Sequence, residues 1–279
     1  MENAENFEIA EDLRQSNEYG KYIERIGWRA VKFPHQDMQI FIRKLGPVRV
    51  AKLQRTSLSI PWKNVDNILT SEKVMMCTIE PLLAEIKEFG LNGYKTNKEP
   101  LLGTKTLRVN LRPKEEEIFN SFKKDCRYII RKLRITNHKL QINDFDNFYD
   151  IWKKSAKRKR LWIPGINEYK SLIGCFGKNV FCLTIDNLAG ALILLNKKTA
   201  FYYYAGATGE GTVKDLPYAV VWNAMLEAKK RGCQVWDFEG IYDARWPNKS
   251  WAGFSHFKKS FGGKEIEFPG SFTKWRWPF

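Results

Sequence analysis

The spacing of apolar positions is most legible in the C-terminal half of the chain. Three apolar runs, 181–185, 189–195 and 200–205, are separated by Asp186-Asn187 and by Asn196-Lys197-Lys198. Both interruptions are turn-forming sequences, so the stretch predicts a three-stranded meander. A glycine-rich loop, 206–211, comes next. Pro217 then opens a segment with Val220, Val221, Ala224, Met225 and Ala228 at helical spacing, closed by Gly232. Residues 233–238 predict another strand, 253–261 a short helix and 265–268 a last strand.

The N-terminal half is sparser. Segments 22–33 and 40–53 mix strand-like stretches with the turn formers Pro34, His35, Gly46 and Pro47. The run 75–79 predicts a buried strand ending at Glu80-Pro81, and 82–89 a short helix stopped by Gly90. After a strand at 107–111, Pro113 starts a helix with Glu115, Glu116 and Glu117 in its first turn and basic residues at its end. That polarity suits the helix dipole. Ile118, Phe122, Ile129 and Leu133 form its apolar stripe. A second amphipathic helix turns Phe145, Phe148, Trp152 and Ala156 inward, capped by Asn143 or Asp144. Meander, helix, strand, helix and strand in succession argue for a mixed α/β protein, and the order from Phe181 onward is that of a GNAT-like acyltransferase half.

Composition narrows the class. The 279 residues are 43% hydrophobic and 14% aromatic, too rich for a disordered chain. No apolar run approaches the roughly 20 residues needed to span a bilayer. Residues 1–11 are acidic and polar, unlike a leader, so a cytoplasmic location is expected. A net charge of +16 attracts polyanions: nucleic acid, nucleotide-linked substrates or an anionic membrane face. Solvated lysine faces would explain the same number. The five cysteines form no CxxC pair and suit reduced thiols. His35, His138 and His256 are too scattered for a zinc site or a Cys-His nucleophile.

The C-terminal third reads Phe201-Tyr202-Tyr203-Tyr204-Ala205-Gly206-Ala207, then Pro217-Tyr218-Ala219-Val220. Asp237-Phe238-Glu239-Gly240-Ile241 and Phe257-Lys258-Lys259-Ser260-Phe261-Gly262-Gly263 follow. In this order they resemble the Fem (FemABX) family of non-ribosomal peptidyl transferases, with its YxYAGA, DxGGI and FKxxFGG elements. Upstream, Gln15-Ser16, Tyr19-Gly20, Gly27-Trp28 through Val31-Lys32, Gly46-Pro47, Glu80-Pro81 and the 124–131 segment resemble further family stretches. The resemblance spans nearly the whole chain.

It implies two GNAT-like domains, 1–140 with 264–279 and 141–263, the C-terminal tail returning to the first. It also implies transfer of an amino acid from aminoacyl-tRNA to the stem-peptide amine of a peptidoglycan precursor, soluble or lipid-linked. No cofactor and no metal are implied; a monomer is expected, and the basic, aromatic tail 274–277 would either pack on the first domain or touch the cytoplasmic membrane face. Lys258 would meet the developing oxyanion or the tRNA end, with Phe257 shaping the same pocket. Lys32, Tyr204 and Tyr169 would bind substrate. The family arginine near Tyr169 is missing from Ile163-Pro164-Gly165-Ile166, so Arg160 or Arg158 would replace it. Glu80 is a minor candidate base, and the basic run 153–160 a candidate phosphate contact. Two other readings stay open. A CoA-dependent GNAT enzyme would need a Gln- or Arg-headed pyrophosphate loop, which 206–211 lacks. A non-catalytic RNA-binding module would have no need of Lys258.

Overall fold

A computed structural model describes residues 12–34, 36–56 and 59–276, so His35 and the 1–11 segment lie outside it, as does Trp277. In chain order the elements begin with α1 (Asn17–Arg25), β1 (Arg29–Lys32), β2 (Gln39–Leu45), β3 (Val48–Gln54), α2 (Trp62–Ser71) and β4 (Met76–Glu80). Next come α3 (Ile86–Leu91), β5 (Lys95–Thr96), β6 (Lys105–Asn110), α4 (Glu115–Asn120), α5 (Lys124–Ile135) and β7 (Leu140–Ile142). The middle holds α6 (Phe145–Lys159), α7 (Ile166–Phe176), β8 (Val180–Ile185), β9 (Ala189–Asn196) and β10 (Thr199–Ala207). The chain ends with α8 (Gly209–Val213), α9 (Leu216–Lys230), β11 (Val235–Gly240), α10 (Ala252–Lys259), β12 (Lys264–Glu267) and β13 (Phe272–Trp275).

These elements form two compact units. The first comprises Met1–Lys105, Tyr242–Lys249 and Glu267–Phe279, the second Thr106–Ile241 and Ser250–Ile266. The division thus falls at 105/106 rather than at the expected 140. The reason is strand pairing: β6 lies antiparallel to β11, which commits the 106–140 segment to the second unit.

The first unit is a sheet in the order β1-β2-β3-β4-β13-β5. Alternation along its strands sends Ile40, Ile42, Ala51, Leu53, Cys77, Ile79 and Phe272 to one face, where they meet Val65, Leu69 and Phe89 of α2 and α3. The returning tail is itself a strand, β13, paired antiparallel to β4 from Phe272↔Ile79 to Trp275↔Met76. The sequence signal for α1 was missed, although Ser16 caps it by accepting from the Tyr19 amide at 3.1 Å. α2 was missed too, because Val65 and Leu69 are its only buried residues.

The second unit is a sheet in the order β12-β6-β11-β10-β9-β8-β7. The predicted meander is β8-β9-β10, antiparallel throughout, and Asp186 and Asn187 take the positive φ values (53° and 56°) of a tight hairpin turn. On one face Ile193, Tyr202, Trp236 and Phe238 pack with Val221, Trp222 and Met225 of α9. On the other, α6 lies against β8, β9 and β10, its N-terminus capped by Asp144. The single helix expected after Pro113 is in fact two. The break lets both Phe119 and Phe122 pack against Trp222, and the Lys123 amide donates to Ser260 O instead of continuing a helical ladder.

Candidate active site

The site begins with a divergence in the second sheet. β10 and β11 pair in parallel only over Thr199–Phe201 with Val235–Asp237, after which β10 continues with β9 alone. A register shift between Tyr202 and Tyr204 adds a bulge at the point of separation. A cavity of about 540 Å³ occupies the gap, bounded by Tyr202 and Tyr203 of β10, the start of α9 at Pro217 and Tyr218, and Phe254, Phe257 and Lys258 of α10. Arg158, Lys159 and Asp215 supply its remaining charges. Gly206 lets α6 approach, since a Cβ there would lie 2.8 Å from Trp152 Cα.

Lys258 is fixed in this wall. Its ammonium donates to Phe238 O and Gly240 O, both at 2.7 Å, and stands 4.9 Å from the Phe254 ring centre. An ammonium has three N–H donors, so one remains for a ligand in the cavity. Burial pulls its pKa down to about 8, against the opposing influence of Glu239 and Asp237. At neutral pH it is therefore still mostly a cation, and a poorly solvated one. Phe257 packs edge-on against Tyr218, with ring centres 4.9 Å apart. The glycines that follow are steric requirements. Gly262 and Gly263 sit at φ +68° and +89°, and a Cβ on either would collide with the carbonyl of Ser121 or Arg108. Beneath them the buried Arg108 guanidinium donates to Asp237 Oδ2 at 2.8 Å, tying β6 to β11.

Residues 184–278 match the FemAB family. The structure aligns with a crystal structure of FemX at a TM-score of 0.78 and 14% identity, covering 99% of this chain and 96% of that one. The C-terminal third of the chain is thus of FemAB type, and the whole chain shares the fold of FemX. L-PGS from Bacillus licheniformis is similar in fold, with a TM-score of 0.60, 11% identity and coverage of 91% and 85%. So is a tandem GNAT protein from the clavulanic acid biosynthesis pathway, at 0.52, 9%, and coverage of 99% and 97%. No curated protein matches by sequence. Two GNAT-like units and the FemAB match over 184–278 place the chain among the acyltransferases.

Of the residues expected in the site, Lys258 and Phe257 line the cavity together. Tyr204 does not line it. The bulge rotates it to the opposite face, where it stacks on Trp152 with ring centres 4.1 Å apart, and Tyr203 takes the cavity position. Tyr169 is buried, donates to Phe145 O at 2.9 Å and packs against Tyr149, so it holds α7 to α6 rather than facing a ligand. Arg160 adopts the left-handed conformation that ends α6 and is exposed away from the cavity. The weighed alternative, Arg158, reaches it, donating to Thr212 Oγ1 at 3.1 Å. Cys126, Cys182 and Cys233 are buried and their thiols pushed up to about 11, 12 and 11 by burial, far from nucleophilic.

Lys32 and Glu80 belong to the first unit. Lys32 is exposed and donates to Asn17 Oδ1 at 2.7 Å. Glu80 is buried and accepts from Gln54 Nε2 (3.0 Å) and from the amides of Leu101 (2.7 Å) and Leu102 (3.1 Å). That arrangement makes it a latch on the loop at Leu101 and Leu102, its carboxylate occupied by structural donors. The sheet face not covered by α2 and α3 carries a groove of about 1040 Å³. In it Lys52, unremarked in the sequence, stands 4.5 Å from the Trp28 ring centre, its pKa brought to about 8 chiefly by burial. Alternation with Val50 and Gln54 along β3 was the signal available for that position.

Proposed function

We infer that this protein is a Fem-type enzyme that transfers an amino acid from aminoacyl-tRNA to the side-chain amine of a peptidoglycan precursor's stem peptide, in the cytoplasm. The observation that carries the reading is Lys258, a cation held by two carbonyls with one N–H left over, in a cavity walled by aromatic rings. The reaction is aminolysis of an activated ester. The acceptor nitrogen bonds to the acyl carbon, the carbon–oxygen bond to the ribose breaks, and the amine proton ends on the ribose hydroxyl. Such a step needs positioning and a positive group where the oxyanion forms, and no activated serine or cysteine. The thiols raised by burial and the confined ammonium fit that requirement. The net charge of +16 suits a polyanionic donor. A CoA-dependent reading gains no support from the α9 N-terminus, where Pro217 has no amide to offer, the Asp215 amide donates to Thr212 O and the Asp215 carboxylate would repel a pyrophosphate.

The test is incubation of the purified protein with a pool of aminoacyl-tRNAs and UDP-MurNAc-pentapeptide, read by mass spectrometry. The precursor should gain the mass of one or more aminoacyl residues, and ribonuclease treatment of the donor should abolish the gain. Product formed from acetyl-CoA, with none from aminoacyl-tRNA, would overturn the reading.

A further inference from the structure

The charges around the cavity of the second unit are unequal in what they do. Lys258 and Arg158 each donate to protein acceptors, as described. Asp215 is the one carboxylate among the lining residues. It occupies the N-cap position of α9 but in the left-handed conformation (φ 57°), and its side chain makes no capping hydrogen bond. Among the described residues its carboxylate accepts no hydrogen bond and forms no ion pair, although it is half-buried in the cavity wall beside Tyr218. A carboxylate at an N-cap ordinarily turns back onto the first amides of its helix. Here it makes no such bond, and it lines a cavity whose other charged groups are the cations Arg158, Lys159 and Lys258.

The ligand that balances this arrangement carries both signs of charge. A purely anionic ligand would satisfy the cationic groups and be repelled by Asp215. A donor acyl group with a free α-amine presents an ammonium next to the ester carbonyl. That carbonyl must lie near Lys258, while the ammonium requires an acceptor of opposite charge in the same cavity. We propose that Asp215 receives the α-ammonium of the aminoacyl donor and so makes the cavity select α-amino acyl groups over acyl groups without the amine. The proposal rests on the aminoacyl-tRNA reading above and adds a residue and a selectivity to it.

The experiment compares two donors on two proteins: one tRNA charged either with an α-amino acid or with the corresponding α-hydroxy acid, used by the wild type and by Asp215→Asn. Asparagine keeps the shape and tolerates the left-handed backbone, so folding is expected to survive. Far-UV circular dichroism and a thermal melt check this. The wild type should prefer the amino donor. Asp215→Asn should lose about ten- to a hundred-fold in kcat/KM with that donor, the usual worth of a charged hydrogen bond. With the hydroxy donor it should change less than about threefold, and Asp215→Glu should recover part of the preference. Equal loss with both donors, or no loss with either, overturns the role of Asp215 while leaving the transfer reaction intact. A wild type that uses neither donor overturns the aminoacyl-tRNA reading, and this proposal with it.

Discussion

Replacing Lys258 by methionine keeps the length of the stem and removes the charge, and its consequences for folding and for turnover should separate. The lysine pKa is lowered from 10.5 to about 8, so the unfolded chain binds more protons between those values. Stability from this group therefore rises with pH across that window, and below about 8 the cost of confining the cation is fully present. That cost is about 3 kcal/mol, from about 1.4 kcal/mol for each pKa unit. Methionine removes it but leaves the carbonyls of Phe238 and Gly240 without a donor, at about 1–3 kcal/mol each. The two effects oppose each other, so stability at pH 7 should change by no more than about 3 kcal/mol, roughly 6–12 °C in Tm at this chain length. Turnover has no such compensation. Losing one preorganised group at a developing oxyanion costs about 2.7–4 kcal/mol, or roughly a hundred- to a thousand-fold in kcat. Because the remaining N–H gains its partner mainly in the transition state, KM for the precursor should move little. The assay is initial-rate transfer from aminoacyl-tRNA, with a melt on the same preparation. If a folded Lys258→Met kept more than about a tenth of wild-type kcat, the cation would not act at the oxyanion.

A lysine titrating near 8 loses its charge at lower pH than an ordinary one, so a falling limb in kcat/KM centred at about 8 is expected. Lys258→Arg, charged throughout, should lack that limb; a profile identical in the two proteins would assign the limb to another group. Gly263→Ala combines a left-handed backbone with a collision at Arg108 O, and should cost about 2 kcal/mol or more in a thermal melt. A melt matching the wild type would mean that the FGG turn relaxes freely. Glu80→Gln should lower stability by about 1–3 kcal/mol by disturbing the latch on Leu101 and Leu102, yet leave kcat within about threefold. A hundred-fold fall in kcat in a folded variant would restore Glu80 as a base.

What the amino-acid sequence determined by itself was everything encoded in local order. The meander of residues 180–207 followed from apolar runs cut by residues that tolerate positive φ. The α9 helix followed from Pro217, its apolar spacing and Gly232, while the candidacy of Lys258 came from the resemblance of one contiguous motif. Such signals survive in one dimension because each depends on neighbours a few positions away. Tertiary structure decided the rest. The unit boundary moved from 140 to 105 because β6 finds its partner β11 more than a hundred residues later, a pairing that periodicity does not register. Tyr204 and Tyr203 exchanged places because a single bulge reverses which side chain faces the cavity, and strand alternation assumes there is none. Tyr169 became a packing residue because its hydroxyl meets the Phe145 carbonyl of a different helix. Asp215 carries no signal in sequence because its chemistry lies in what it fails to contact: a carboxylate at an N-cap is ordinary until the fold leaves it uncapped in the wall of Lys258's cavity.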